Sequence, residues 1–296
     1  MDILIVMCIG ILVGRLPLLR RMKKKNEGLS LLCTFLLIFA MGVMLGEKEN
    51  FFEELSSLGF TSFLFFLLPT GFSIILVYYL TKVFMKEEKN SEGRGKVIVV
   101  LTVLSLVLGI AYGYLDVENT FISMISQNTQ VILYVLMFSV GISIGMHDGI
   151  MKKLKEYHVK IFIIPVGIIL GSLFGGLLCA AIFKISVGHA TAIASGLGWY
   201  SFAGATISKL AGAELGSIAF LSNLMRELFS FFIIPFLAAH LGYYTCIAPA
   251  GATSEDTTLP VMLKYTNEET VVLSVLNGII CSFFVPILIS VCLSVV

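Results

Sequence analysis

Long apolar stretches alternate with short polar ones along the whole chain. Most of the apolar stretches approach the roughly 20 residues that an α-helix needs to cross a bilayer. The pattern therefore predicts an all-α polytopic membrane protein. In the first part of the chain, the predicted spans are residues 3–19, 29–45, 61–84, 97–115, 128–146 and 159–183.

The pattern changes after Phe183. Residues 186–216 are rich in Gly, Ala and Ser and too polar for a simple span, so they predict a broken or re-entrant helix. Depending on whether such elements cross the membrane or fold back, the chain has eight or ten spans. The remaining predicted elements are a long helix at 217–241, a second interrupted element at 243–265 and a final span at 271–296.

Ten spans would divide the chain into two sets of five helices. Two repeats with an odd number of spans run in opposite senses, an arrangement common in transporters. Within a single transporter domain covering residues 1–296, we expect a first repeat at 1–146 and a second at 159–296. Discontinuous helices are expected near residues 186–210 and 245–265, both in the second repeat. An eight-span arrangement with two re-entrant hairpins is the alternative.

Basic residues predict the orientation of the chain. Three connections, at residues 20–25, 82–96 and 152–160, are rich in Lys and Arg, whereas the intervening ones are acidic and contain a single base, Lys48. Cytoplasmic connections carry the excess of basic residues. Both termini are therefore expected outside the cell, in a protein of the cytoplasmic (inner) membrane.

Composition excludes several classes of protein. Charged residues make up only 13% of the chain, about half of what a soluble domain carries, and the net charge of +1 gives no basis for nucleic-acid binding. The six cysteines show no CxxC spacing, so neither a disulfide, a metal site nor a cofactor is predicted.

The apolar N-terminus lacks a cleavage site, so we expect it to be a retained first helix. The oligomeric state stays open, a homodimer included.

The most informative polar motif is APAGATSEDTTLP, at residues 248–260. Pro249, Gly251 and Pro260 interrupt any helix here, and non-helical backbone at membrane depth is tolerated only beside protein or a water-filled cavity. A plain aqueous loop is the alternative, but the small residues favour closely packed helix ends around an ion. The side chains predicted to bind substrate or ion are Glu255, Asp256, Ser254, Thr257 and Thr258.

Two adjacent charged residues, Arg226 and Glu227, lie near the middle of the long predicted helix. An ionised side chain at that depth costs roughly 2.5–3.5 kcal/mol, so each needs a partner. We expect Arg226 to form a structural ion pair with Glu255, with direct substrate contact as the alternative. Glu227 is then free to bind substrate or protons, and Asn223, one turn earlier, contributes a polar contact.

A third cluster, SGLGWYSFAG at residues 195–204, holds the only Trp of the chain. Its glycines permit a helix break, and the aromatic faces of Trp199 and Tyr200, with Ser201 beside them, suit an organic cation. Aromatic anchoring at the membrane interface is the alternative. No nucleophile-elbow motif is present, so a hydrolase using Glu227 and Asp256 as a carboxylate dyad is the remaining enzymatic alternative, and the chain is predicted not to be an enzyme.

Three segments together resemble the bacterial lysine exporter LysO family: GWYSFAG (198–204), SNLMRELFSFFIIP (222–235) and GATSEDTTLP (251–260). The resemblance implies an inner-membrane exporter of L-lysine and some analogues. Its distant relatives imply a repeat-built fold with discontinuous helices, akin to the bile-acid symporter and cation/proton antiporter group. Residues 97–115 differ from that fold, because they form an uninterrupted apolar run where the mirrored broken helix belongs.

Together these observations predict a secondary transporter that exports lysine by proton antiport, with Glu227, Glu255 and Asp256 as cation and proton sites. Anionic side chains and a half-helix N-terminus would match the ammonium and carboxylate groups of lysine. We expect Asp256 to face the cavity. The alternative is a sodium-coupled transporter of another small organic ion. The predicted partners are lysine, protons or sodium, and membrane lipid.

Overall fold

A computed structural model describes residues 2–16, 22–47, 51–85, 96–115, 120–146 and 158–295. Within these ranges the chain is all-helical. The first helices are α1 (Asp2–Gly14), α2 (Lys23–Gly46), α3 (Phe51–Phe84), α4 (Lys96–Tyr114), α5 (Thr120–Gln127), α6 (Thr129–Gly145) and α7 (Ile163–Phe183). They are followed by α8 (Val187–Ala194), α9 (Tyr200–Ala211), α10 (Ala213–His240), α11 (Ile247–Ala250), α12 (Leu259–Tyr265) and α13 (Glu268–Leu293), with 3-10 turns at His158–Phe162, Tyr244–Cys246 and Gly251–Glu255.

The all-helical membrane architecture predicted from the apolar pattern is confirmed. Five helices of the described chain are long and apolar enough to cross a membrane, namely Lys23–Gly46, Leu55–Phe84, Val159–Phe183, Ala213–His240 and Glu268–Leu293. Shorter apolar helices occur at Ile5–Gly14, Val103–Tyr114 and Thr129–Gly145. The connections from which the orientation was predicted fall largely outside the described residues.

The chain folds into two compact units, of which the first comprises residues 1–51, 93–156 and 267–272. Within it, α1 packs on α6 through glycines spaced four residues apart on both helices. Gly10 faces Gly141, and a Cβ atom on Gly10 would lie 2.5 Å from the Phe138 carbonyl oxygen. Gly14 faces Gly145 one turn later, so the two helices run parallel. Only residues without a side chain allow backbones to approach so closely.

A second pair in the same unit, α2 and α4, repeats this arrangement. Gly42 faces Gly109, and a Cβ atom on Gly42 would lie 2.6 Å from the Leu106 carbonyl oxygen. Gly46 faces Gly113 one turn further on. These two helices are therefore also parallel.

The second unit comprises residues 52–92, 157–266 and 273–296. In it, α3 packs closely against α7: Gly171 meets the backbone of Ser73, and Gly175 meets Pro69 one turn earlier on α3, so these helices are antiparallel. The Ser73 hydroxyl crosses between them and donates to the Ile168 carbonyl at 3.0 Å. This close contact places Ser172 of α7, whose side chain is fully buried, toward the interior of the unit.

Two discontinuous helices lie in the second unit, at the positions expected from the Gly- and Pro-rich stretches. The first consists of α8 and α9, separated by residues 195–199. Its backbone takes positive φ at Leu197 (49°) and Gly198 (98°). The second consists of α11 and α12, separated by residues 251–258, and begins its break at Gly251 with a φ of 58°. Both breaks hold backbone groups that no regular helix can pair.

Candidate functional site

The two breaks lie against each other. The Ala252 N–H donates to the Leu197 carbonyl at 2.9 Å. A Cβ atom on Gly198 would lie 3.2 Å from the Ala250 carbonyl oxygen, and Gly251 meets the Leu197 carbonyl even more closely. Glycine at these positions permits both the positive φ and the close backbone approach. The helix interruptions thus form one crossing point inside the second unit.

Asn223 of α10 satisfies the backbone of the first break. Its side-chain oxygen accepts from the Gly198 N–H at 2.8 Å, and its amide nitrogen donates to the carbonyls of Ile193 and Ala219 at 3.2 and 2.9 Å. The side chain is 4% exposed. Asn223 therefore holds the last turn of α8 and the start of the break, whereas the sequence had suggested a contact with the cavity.

Side chains of α13 satisfy the second break. Asn277 donates to the Gly251 carbonyl and to the Ser254 hydroxyl, both at 2.9 Å. Ser254 and Ser274 each donate to the other's backbone carbonyl at 2.8 Å. The Thr258 hydroxyl donates to the Thr253 carbonyl at 3.0 Å. Ser254 and Thr258 therefore stabilise the irregular backbone, and neither hydroxyl shares the hydrogen bonds of Asp256.

Arg226 is also part of this crossing point. Its guanidinium donates to the carbonyls of Pro249 and Ala248, at 3.1 and 3.0 Å, and to the Ser172 hydroxyl at 2.9 Å. The expected ion pair with Glu255 is wrong. The guanidinium donates to these three oxygens, and the Glu255 carboxylate accepts a hydrogen bond from Ser282 instead. The cation sits at the C-terminal end of α11, where free carbonyls attract positive charge.

Glu227 and Asp256 are joined through Thr257. The Thr257 hydroxyl donates to Glu227 Oε1 at 2.6 Å and lies 3.4 Å from Asp256 Oδ1, which also accepts the Thr257 N–H at 2.6 Å. Glu227 is only 1% exposed, and its other oxygen, Oε2, is buried without a hydrogen-bond partner in the described chain. A buried carboxyl oxygen without a partner is costly, so Oε2 needs a partner that the described side chains and backbone do not supply.

Glu255 faces a different side of the segment from Asp256. Its Oε1 accepts from the Ser282 hydroxyl at 3.1 Å, and its side chain packs against Gly278 of α13. The inequivalence expected for these neighbouring carboxylates is thus present in the geometry. Asp256 belongs with Glu227, and Glu255 belongs with α13.

The aromatic cluster begins α9 beside these carboxylates. Trp199 is the residue before the helix and stacks on Phe202, with ring centroids 4.7 Å apart. Tyr200 contacts Phe220 of α10 edge-on, at 5.3 Å, and its phenol lies within electrostatic range of Glu227 and Asp256. Ser201 is exposed. The two sequence clusters therefore come together in one region.

Sequence reasoning missed three side chains of this site: Ser172, Ser274 and Asn277. Asn277 carried a usable signal, because an amide in the middle of an apolar final helix needs a partner just as a charge does. Ser172 and Ser274 carried none, since serines are common in membrane helices and their role depends on tertiary contacts.

Comparison with known proteins identifies the family of the chain. A family model described as "Lysine exporter LysO" matches residues 103–293. "Lysine exporter LysO" of Escherichia coli (strain K12) is 30% identical over 302 residues, covering 97% of each chain. A "Putative lysine exporter" of Haemophilus influenzae is 31% identical over 186 residues, covering 62% of this chain and 92% of the relative. No solved structure matches significantly. Because the family model covers more than half of the chain and the first relative aligns along nearly all of it, the chain belongs to the lysine exporter LysO family.

Proposed function

We propose that this protein exports L-lysine and close analogues across the cytoplasmic membrane as a secondary transporter that exchanges its cargo for protons. Membership of the lysine exporter family and the names of its relatives support the cargo. The helix breaks and the carboxylates beside them support the mechanism.

The observation that carries the proposal is the free oxygen of Glu227. Oε1 is held by Thr257, while Oε2 is buried and has no partner in the described chain. A proton or a substrate ammonium group supplies the missing partner. Intramembrane carboxylates commonly mark substrate and proton pathways for this reason.

Exchange follows from competition for the same carboxylates. A carboxylate that holds a proton has lost the charge that attracts an ammonium group, so Glu227 and Asp256 bind cargo or proton but not both at full strength. Thr257 contacts both carboxylates and links their occupancies. Asp256 is partly exposed and Glu227 is buried, so ligands reach Asp256 first.

We further infer ten crossings, with both termini outside. Helices α2 and α4 are parallel, so an odd number of crossings separates them, and α3 supplies one. Helices α1 and α6 are also parallel, and α2, α3 and α4 already give an odd number of crossings between them, so α5 does not cross. Along α10, Gly216, Phe220 and Asn223 meet Ser208, Gly204 and Gly196 in turn. That steady register is expected of a discontinuous helix that continues through the membrane, whereas a re-entrant hairpin brings α8 back toward the start of α10. The sets 1–146 and 159–296 then hold five crossings each, in opposite senses.

Radiolabelled lysine flux in proteoliposomes tests the proposal. Vesicles that contain the purified protein and labelled lysine are diluted into a more acidic buffer without sodium. We expect the inward proton gradient to make lysine efflux severalfold faster than it is in an external buffer of the same pH as the vesicle interior. A sodium gradient should have no effect on lysine efflux. Efflux that follows sodium and ignores the pH gradient would contradict proton antiport, and absence of any lysine flux would contradict the cargo.

A further inference from the structure

The first turn of α9 carries polar groups that no described residue uses. The helix begins at Tyr200 and extends over 12 residues. The N–H groups of Ser201 and Phe202 and the Ser201 hydroxyl form no hydrogen bond in the described part of the chain. Free N–H groups at a helix start, with the positive end of the helix dipole, attract an anionic group.

Glu227 supplies a second and independent feature at the same place. Phe220, Asn223 and Glu227 lie on one face of α10, because three- and seven-residue spacings bring side chains to the same side of a helix. Tyr200 packs on Phe220, and Gly198 donates to Asn223. α9 therefore begins against the face of α10 from which Glu227 projects, with its buried and unpartnered Oε2.

We propose that the first turn of α9 and Glu227 together form a subsite for the head group of an amino acid. The N–H groups and hydroxyl at Ser201 and the N–H of Phe202 bind the α-carboxylate, and Glu227 Oε2 accepts the α-ammonium group. A head group carries both charges on a single carbon, so it needs an anion-binding helix start and a carboxylate side by side. This subsite deepens the proposed function and rests on it.

The subsite has a consequence for specificity. Cadaverine is lysine without its carboxylate, and it keeps both ammonium groups. A site made of carboxylates alone would accept cadaverine at least as well as lysine. A site that also uses the start of α9 discriminates against cadaverine, because the polar groups at Ser201 stay unpaired.

The fluorescence of Trp199 offers a way to measure ligand binding at this turn. It is the only tryptophan of the 296 residues and immediately precedes α9, so the intrinsic fluorescence of the purified full-length protein reports on this turn. We expect lysine to change the fluorescence saturably and cadaverine to need a concentration about tenfold higher or more. Equal responses to the two ligands would overturn the carboxylate assignment.

Two variants of equal size separate charge from structure. Ser201→Asp places an anion where the substrate carboxylate binds, although acidic residues in a first turn stabilise helices. Ser201→Asn has nearly the same shape without the charge. We expect Ser201→Asp to weaken lysine binding about tenfold or more and to shift preference toward cadaverine. Ser201→Asn, which loses the hydroxyl contact but adds no charge, should weaken lysine binding by a clearly smaller factor and keep the preference for lysine over cadaverine.

The two proposals fail in different ways. If the unmodified protein transports lysine but Ser201→Asp binds lysine as Ser201→Asn does, with both melting temperatures unchanged, the subsite is wrong and the export proposal stands. If the unmodified protein neither binds nor transports lysine, the export proposal itself is wrong. A Ser201→Asp protein that melts well below Ser201→Asn would contradict the assignment of this turn as an open anion site.

Discussion

The two oxygens of Glu227 have different surroundings, and that difference is the centre of the site. Oε1 receives a short hydrogen bond from Thr257, which fixes the carboxyl group, and Oε2 faces no donor in the described chain. Fixing one oxygen holds the other in a constant position, where we propose that it binds a proton or an ammonium group. Asp256, held by the same threonine, extends the site toward a more exposed position.

Asp256→Asn and Glu255→Gln are expected to behave differently. Asp256 shares Thr257 with Glu227, so its neutral amide should reduce lysine flux by about tenfold or more, since charge-assisted contacts contribute about 1.5–3 kcal/mol. Glu255 contacts Ser282 instead, so its variant should retain most of the flux.

Flux and melting temperature of the two purified variants check this expectation. Both should melt within a few degrees of the unmodified protein, because Arg226 is held by carbonyls and a serine and needs neither carboxylate. An inactive Glu255→Gln beside an active Asp256→Asn would reverse the assignment.

At this scale, the sequence predicts which residues are buried but not what they touch. The mid-helix depth of Arg226 and Glu227 predicted partners for both. A carboxylate was the natural partner for the guanidinium on charge alone. The structure instead pairs it with the carbonyls left free where α11 ends, a partner that becomes visible only once the helix break is placed in space.

Among the elements, the discontinuous helices depend on polar side chains from their neighbours. Asn223 of α10 serves the first break, and Ser274 and Asn277 of α13 serve the second. Buried backbone groups without partners cost about 1–3 kcal/mol each, so these side chains make the interruptions tolerable inside a membrane.

Gly251→Ala is expected to destabilise the second break. Its φ of 58° disfavours any side chain, and the added methyl group would meet the Leu197 carbonyl. We expect a loss of more than about 1 kcal/mol, seen as a lower melting temperature with reduced lysine flux.

Gly71→Ala is the matched control, because nothing lies within 4 Å of a Cβ atom at that helical position. Alanine there should leave the melting temperature unchanged or slightly higher, since it favours helix. Equal melting temperatures for the two variants would show that the close contact at Gly251 does not constrain the fold.

The positions of the breaks followed from the sequence, but their detail did not. Gly and Pro marked both stretches, and Gly251 does begin the second break. Pro249 lies inside α11, and Pro260 lies in the first turn of α12, where a missing N–H costs little. That the two breaks meet depends on tertiary packing, which the local pattern of one chain does not encode.

At the scale of the whole molecule, paired glycines show which helices pack together and run in the same direction. The hydropathy pattern does not show this. The pairs at Gly10–Gly141 and Gly42–Gly109 each join helices of the same sense. Short connections and alternating apolar stretches predict that neighbouring spans run antiparallel, but they do not say which distant spans meet. The repeats at 1–146 and 159–296 stay a prediction, and so does the inferred number of ten crossings.

Cysteine labelling in intact cells tests this topology. In a variant without native cysteines, single cysteines at Asn50 and Val295 should react with a membrane-impermeant maleimide, and those at Ser91 and Lys209 should react only after the membrane is permeabilised. Labelling at Ser91 in intact cells would overturn the orientation. Labelling at Lys209 but not at Ser91 in intact cells would favour eight spans with re-entrant hairpins.

The central claim is that Glu227 exchanges protons for lysine. Its most direct test is proton-driven lysine efflux from proteoliposomes that contain Glu227→Gln, with Glu214→Gln as the control. Glu214 is an exposed residue in the first turn of the same helix. We expect the Glu227 variant to lose the response of lysine efflux to an acidic exterior while it melts like the unmodified protein, and the Glu214 variant to transport normally. A folded Glu227→Gln protein that still couples lysine efflux to the pH gradient would contradict the account.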